Sequence, residues 1–280
     1  MTTNLALAQA ADRAVRRRAA LDAIPLAHGL AVRHPELYDV HYLNAVLLDR
    51  TPPTREDLTG PEVTALADRY LGDLGHRHVV FDDAGAGERT AAALACEGWE
   101  RSRTVYMAFA DDPSELVRDP RARVISEPEM RALQLAALRE EAPVVDARTG
   151  LVARLVATQS RLRTTTPCRC FGAGELAGAP ASMCALFLDD DVSGRRVATV
   201  EEVGTLVAYR GRGLARAVVS AAVADAVGWG ADLIVVPADA DDWPQLMYAR
   251  LGFAAIGRQV ALTRRTRAGR AGSDSVSGGV

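Results

Sequence analysis

The stretch 197–227, VATVEEVGTLVAYRGRGLARAVVSAAVADAV, reads as a strand, a tight basic turn and a helix. Val197 to Val207 is rich in β-branched residues. Arg210, Gly211, Arg212, Gly213, Leu214 and Ala215 make the turn, and a helical run follows to about Val227. In that run Leu214, Ala215, Val218, Val219, Ala222, Val223 and Ala226 form one apolar stripe, with Arg216, Ser220 and Asp225 off it and Gly228 and Gly230 as stops. A strand that turns directly into a helix leaves several N–H groups unpaired and aimed one way, and the helix dipole adds partial positive charge there. Phosphate binds such ends. Glycine at 211 and 213 lets the backbone come close to a ligand, and Arg210 and Arg212 are expected to add mobile positive charge. The turn lacks the Gly-Lys-Ser/Thr of a Walker loop and the third Gly of a dinucleotide fingerprint.

The strand holds two consecutive carboxylates, Glu201 and Glu202, in an otherwise apolar run. Strict alternation sends them to opposite faces, so that one is solvated and the other points into a cleft, where burial raises its pKa towards that of a useful general base. Two ordinary surface acids on an edge strand fit the same pattern. Gly204 hints at a bulge that resets the alternation, which leaves only a lean towards Glu202 over Glu201. Further on, Leu233 to Val236 reads as a strand, Asp241 and Asp242 as N-caps, and Pro244 as the first turn of a short helix closed by Gly252. Tyr248 lies in that helix. Its phenol, with an ordinary pKa of about 10, can donate a proton to a departing thiolate, or the residue is an amphipathic packing element with its hydroxyl at the surface.

These features together resemble the GNAT superfamily of acyl-CoA-dependent N-acetyltransferases. The Arg/Gln-x-x-Gly-x-Gly/Ala loop of that family is matched by Arg210, Gly213 and Ala215, and its Tyr-x-x-x-Gly-Phe segment by Tyr248, Gly252 and Phe253. The resemblance covers about Arg121 to Arg265. It implies that the amides of Arg210 to Ala215 hold a pyrophosphate of acetyl-CoA and that the strand end at Thr205, Leu206 and Val207 hydrogen-bonds the pantetheine arm, with an N–H of the Leu206–Val207 region for the oxyanion. It further implies Glu202 or Glu201 as base and Tyr248 as acid in direct transfer to a primary amine, with no covalent enzyme intermediate. Asp241 falls where the family often has a cofactor-contacting Asn, and Val207 where Pro is frequent. A non-catalytic acyl-CoA-binding module is the alternative.

Sliding the sequence by 154 positions pairs Val79–Asp82 with Leu233–Val236 and Gly98, Trp99 with Gly252, Phe253, so one fold is expected twice. In that register the basic turn falls opposite Glu56, Asp57, Leu58, Thr59, Gly60 and Pro61, Tyr248 falls opposite Leu94, and Glu201 and Glu202 fall opposite Leu47 and Leu48. Two carboxylates repel phosphate and Pro61 has no N–H. The expected organisation is therefore a degenerate GNAT-like domain at 1–115, a polar Pro-bearing link near Asp111–Asp119, an acetyltransferase domain at 116–266 and a disordered tail at 267–280. The fold class is α/β (α+β), tandem GNAT-like domains, each with a mixed, mostly antiparallel central sheet flanked by helices. Within the second domain Arg123–Ile125, Cys168–Phe171 and Met183–Leu188 read as strands, Glu129–Glu140 and Gly150–Arg161 as helices, and Gly172–Pro180 as a loop.

The 280 residues are 49% hydrophobic with a formal charge of −3, which supports a sizeable core and argues against nucleic acid as partner. No apolar run reaches the roughly 20 residues of a bilayer span, and Met1–Leu21 reads as an Ala-rich helix, so no membrane partner and a cytoplasmic location are expected. That helix is expected to bury Leu5, Ala8, Val15 and Leu21, with Arg16, Arg17 and Arg18 on the wet face. Cys96, Cys168, Cys170 and Cys184 form neither a disulfide framework nor a zinc site, and no metal is expected. His28, His34, His41, His76 and His78 read as structural. The acceptor, a small-molecule or peptide amine, has no signature, and a homodimer is compatible with the sequence.

Overall fold

The structure, a computed structural model, describes residues 2–49, 58–113, 118–141, 150–174 and 179–266. Glu56, Asp57, the centre of the 172–180 loop and the expected tail lie outside the described residues. The chain divides into two compact units that are not consecutive blocks: Met1–Arg18 with Val105–Gly257, and Ala19–Thr104 with the chain from Arg258 onward. Each unit is thus assembled from two separate stretches of chain.

Helix α1 (Asn4–Ala19) opens the chain and belongs to the first of these units. Its buried residues are Leu7, Ala8, Ala11, Val15 and Ala19, whereas Leu21 lies beyond the helix end and is exposed. The buried face is therefore rotated from the expected one, and the arginine run is not simply wet. Arg16 is buried and donates to Asp12 at 2.9 Å, and Arg18 donates to Asp189 at 2.8 Å and to Thr166 Oγ1 at 3.2 Å.

The unit around Ala19–Thr104 contains β1 (Asp22–Leu26), β2 (Gly29–Arg33), β3 (Ala45–Leu48), α2 (Gly60–Leu71), β4 (His76–Phe81) and α3 (Ala84–Ala93), followed by β5 (Trp99–Phe109), of which residues 99–104 belong here. β3 and β4 are parallel, as a strand–helix–strand crossover requires, and β1, β2 and β3 are antiparallel. α2 starts with a capping box in which Glu62 accepts from the Thr59 N–H at 2.7 Å.

The other unit holds β6 (Ala122–Ile125), α4 (Glu127–Glu141), α5 (Leu151–Thr165), β7 (Cys168–Ala173), β8 (Ser182–Val192), β9 (Arg195–Thr205), α6 (Leu214–Trp229), β10 (Leu233–Asp239), α7 (Pro244–Ala249) and the start of β11 (Phe253–Arg265). β6 to β9 are antiparallel and β9 pairs with β10 in parallel. The order β3–α2–β4–α3–β5 thus recurs as β9–α6–β10–α7–β11, with Gly60 and Leu214 opening equivalent helices at the expected 154-residue offset. The strand beside β10 is β5, and the strand beside β4 is β11, whose Val260 to Arg265 pair antiparallel with Phe81 to His76. An apolar central strand cannot leave one row of N–H and C=O groups unpaired, and here each unit satisfies it with a strand from the other half of the sequence.

On one sheet face α6 buries Leu214, Val218, Val219, Ala222 and Val223 against Leu186, Val200 and Val236. Each such aliphatic burial contributes about 1.5–3 kcal/mol. The helix runs two residues past its expected end and stops at Gly230, which adopts φ +81° and donates to the carbonyls of the last turn. Among the described residues no helix is long and apolar enough to cross a membrane.

The histidines are more organised than a scattered set. The His41 ring centroid lies 4.3 Å from that of His76 and 5.4 Å from that of His78. His76 Nε2 donates to the Asn44 carbonyl at 3.2 Å, and His78 Nδ1 meets Thr263 Oγ1 at 2.8 Å. Burial, reinforced by the charges of His76 and Arg265, lowers the His41 pKa to about 4, and burial also lowers that of His76. The unfolded chain therefore binds more protons than the native one below the ordinary histidine value, so stability is full above about pH 6.5 and falls towards pH 4. Denaturant titrations at pH 7.5 and pH 5 should differ by on the order of 2 kcal/mol for this unit, and His41→Asn should flatten that difference. Equal stability at the two pH values would show that the stack is solvated.

Candidate active site

β9 carries the decisive irregularity. Met183 pairs with Gly204 and Ala185 with Glu201, so Glu202 and Val203 together oppose the single residue Cys184. This is a β-bulge, and Glu202 occupies its left-handed position at φ +56°. Gly204 pointed to a bulge nearby, but the kink sits on a non-glycine residue, at a cost of about 1–2 kcal/mol. The strict alternation expected of the two carboxylates is lost. Electrostatic neighbours of Glu201 are Asp12 and Arg16 of α1, whereas Glu202 is held by side chains of α4 and α5.

The Glu202 cluster is a buried network. Arg163 of α5, its side chain 2% exposed, donates Nη1 to Glu202 Oε2, and Gln134 of α4 donates Nε2 to the same oxygen at 2.7 Å. Glu127 accepts from Arg163 Nε at 2.7 Å and Nη2 at 2.9 Å, and from Ser160 Oγ at 2.7 Å. Burial raises the Glu202 pKa to about 7 while Arg163 and Gln134 pull it back, and Glu202 Oε1 is buried with no partner. Glu201 is pushed up to about 8, by burial first and then by the charges of Asp12 and Glu202.

Glu202 also lines a cavity of about 940 Å³, and Thr205, Arg210, Gly211, Gly213, Leu214, Ala215 and Tyr248 line it too. Of the other residues singled out from sequence, Glu201, Leu206, Val207, Arg212 and Asp241 are not in its wall, while Asp242 is. β9 ends at Thr205, and Val207–Tyr209 is a 3₁₀ turn, so Leu206 and Val207 do not continue the strand. Their amides are occupied: Leu206 donates to the Ala181 carbonyl at 2.9 Å and Val207 to Glu140 Oε2 at 2.9 Å. Neither is available as the expected oxyanion donor in this arrangement. Asp241 donates its N–H to Asp239, Asp242 accepts the Trp243 N–H at 2.7 Å, and the cap position of α7 is Trp243.

At the other end of the cavity α6 begins without a side-chain cap on Gly213. Gly211 and Gly213 both adopt φ +75°, and a Cβ on Gly211 would meet open space. The first-turn amides of Leu214, Ala215 and Arg216 are the orphan donors of that helix. Arg210 and Arg212 are less mobile than expected: Arg210 Nε donates to the Thr205 carbonyl at 3.1 Å and Arg212 to the Ala208 carbonyl at 3.2 Å, and Arg121 reaches across to the Arg212 carbonyl at 3.0 Å. Their guanidinium groups hold the turn in shape while leaving its positive charge in place. Arg216 and Arg250 add cationic lining that the sequence reading missed, as it missed Gln134, Gln159 and Arg163.

Tyr248 is buried, 5% exposed, and packs edge-on to Phe253 at 6.1 Å, so its hydroxyl is not a surface group. Burial, with the charges of Cys184 and Glu201, raises its pKa, which keeps the phenol protonated. Cys184 is likewise raised by burial, and Cys170 is lowered by a contact with Cys168, with Arg163 assisting; that guanidinium already serves two carboxylates.

The other unit presents the same helix start in closed form. Thr59 and Glu62 cap α2, a Cβ on Gly60 would lie 2.9 Å from Leu94 Cδ2, and a space of only about 20 Å³ lies between Leu58, Phe81 and Thr90. Leu94 fills what its counterpart Tyr248 leaves open.

Residues 133–253 match the model of the Acetyltransferase (GNAT) family. The matched span runs from α4 to the start of β11 and contains the bulge, the glycine turn and Tyr248. No curated protein matches the chain. Among solved structures, a functionally unknown conserved protein from Staphylococcus epidermidis is similar at a TM-score of 0.62 and 14% identity, over 87% of this chain and 93% of that one. A GCN5-related N-acetyltransferase from Kribbella flavida is similar at 0.55 and 19% identity, over 92% and 95%. A tandem GNAT protein from the clavulanic acid biosynthesis pathway is similar at 0.50 and 15% identity, over 79% and 75%. These likenesses are of fold, and they run over both halves of the chain.

Arg163→Met leaves Glu202 as an uncompensated buried acid, with the partly exposed Glu127 beside it, and should destabilise the protein by about 3–5 kcal/mol near neutral pH. The loss should shrink below about pH 5 as the acids protonate. A Tm unchanged at pH 7.5 would mean that water reaches the cluster.

Proposed function

We propose that the unit containing the GNAT span is an acetyl-CoA-dependent N-acetyltransferase acting on a primary amine by direct attack. One observation carries the reading: a single cavity joins an uncapped helix start framed by two left-handed glycines to a buried carboxylate with a free oxygen and to a buried phenol. The residues suit the co-substrate. Gly211, Gly213 and the amides of Leu214 to Arg216 would hold its pyrophosphate, with Arg210, Arg216 and Arg250 supplying charge. When bound, the co-substrate supplies an activated acetyl thioester. Glu202 Oε1 takes a proton from the incoming ammonium, freeing the nitrogen lone pair, the C–N bond forms, and collapse breaks the C–S bond. Tyr248 then protonates the thiolate and recovers the second proton that the nitrogen releases on becoming an amide. The chain's contribution is mainly positioning within a walled cavity. The family span and the fold of its neighbours support acyl transfer in general; the amine acceptor and the roles of Glu202 and Tyr248 are read from the geometry.

The competing reading, a non-catalytic acyl-CoA-binding module, draws on the Arg163 contact, since a guanidinium-paired carboxylate is a weaker base. We assign the capped N-terminal copy no chemistry of its own, and we place the enzyme in the cytoplasm, where the exposed thiol of Cys96 stays reduced.

Calorimetry should show coenzyme A binding at one site, lost in a Gly213→Asp variant. Glu202→Gln should lower kcat by about 10²–10⁴ without changing coenzyme A affinity. For the native enzyme kcat/KM should rise with pH through about 7, as Glu202 loses its proton, and Glu202→Gln should remove that limb. Absence of binding heat rejects the assignment, and unchanged turnover in Glu202→Gln rejects this residue as base.

A further inference from the structure

Three buried oxygen acceptors in the wall of the cavity have no partner: Glu202 Oε1, Gln134 Oε1 and Gln159 Oε1. Their placement is cooperative. Gln134 is 1% exposed and its Nε2 is committed to Glu202, so its amide cannot be flipped without setting oxygen against a carboxylate. Gln159 stands one turn before Arg163 on the same face of α5, and Arg163 grips the other oxygen of Glu202. The three oxygens thus belong to side chains of α4, α5 and β9 that line one cavity.

Counting donors narrows what can satisfy them. A hydroxyl offers one O–H donor, water two, a quaternary ammonium none, and a primary ammonium three with no competing lone pair. Charge narrows it further. Arg163 offsets one of its two carboxylates, Glu127 and Glu202, leaving one negative charge in the cluster. Beside the cluster the cavity wall is apolar, with Ala137, Leu138, Met183 and Met247, and its other charged side chains are Arg210, Arg216, Arg250 and Asp242. Glu127 is already engaged by Arg163 and Ser160, and Asp242, the other acid in the wall, stands with the arginines Arg210, Arg216 and Arg250 there.

We propose that Gln134, Gln159 and Glu202 form a three-point ammonium cradle that selects an aliphatic amine of a single positive charge, whose carbon chain lies along Ala137, Leu138 and Met183. This rests on the acyltransferase reading and specifies its acceptor. Gln134 and Gln159 are then binding residues, while Glu202 both binds the ammonium and removes its proton.

The test is calorimetry with n-butylamine, n-butyltrimethylammonium and 1,4-diaminobutane as probes, on the protein saturated with coenzyme A and again on the protein alone. Butylammonium should bind at least about ten-fold more tightly than either other cation. Gln159→Leu and Gln134→Leu should each weaken it by about ten-fold while coenzyme A affinity, which also reports intact folding, stays the same. Gln159→Glu, which adds the missing acid, should shift preference towards the diamine. Equal binding of primary and quaternary ammonium, a native preference for the diamine, or no effect of Gln159→Leu in a protein that binds coenzyme A would overturn the cradle. Selective butylammonium binding with no heat from coenzyme A would instead uphold the cradle and remove the transferase reading.

Discussion

A left-handed backbone at Glu202, locked by a guanidinium that is almost wholly buried, is the constraint on which the site is built. The bulge adds one residue to β9 opposite Cys184, and that extra residue lets Glu202 leave the ladder alternation and meet α4 and α5. Neither half of the arrangement would persist alone. A positive φ at a glutamate is unfavourable, and a buried acid without a counter-charge is more so. Together they hold a carboxylate with one oxygen fully engaged and one free, which is the division of labour a base needs if it is to stay in place while it changes protonation state.

The two units show how one fold supports both an open and a closed helix start. α6 begins on a glycine with left-handed φ and no cap, so its orphan amides face a cavity. α2 begins on a threonine whose neighbour three residues on returns a carboxylate to the backbone, and Leu94 packs against Gly60. Self-capping stabilises a helix by about 1 kcal/mol and removes the anion site in the same stroke. Leaving the cap off in α6 is thus a local sacrifice of stability for binding capacity, supported by the apolar burial of the rest of that helix.

The exchange of β5 and β11 between units bears on dynamics. Because β4 is completed by the last strand and β10 by a strand from the first half, neither compact unit is a continuous stretch of chain. Many of the contacts that close each sheet are therefore distant in sequence, which raises the entropy of closure before those pairings form.

The sequence by itself determined the strand–turn–helix at 197–227, the tandem order of elements, the glycine turn and the place of Tyr248 in a short helix, because each is written in local periodicity, glycine spacing and proline position. It also narrowed the proposed base to two adjacent acids. Tertiary structure alone decided between the environments of those acids, since a one-residue bulge shifts side-chain direction without altering the apolar pattern. Arg163, Gln134 and Gln159 carried no readable signal: polar residues in amphipathic helices usually face water, and only the packing of α4 and α5 turns these inward. Strand partners distant in sequence within each unit were equally out of reach, because hydrophobic alternation says that a strand is half-buried and nothing about which distant strand lies beside it.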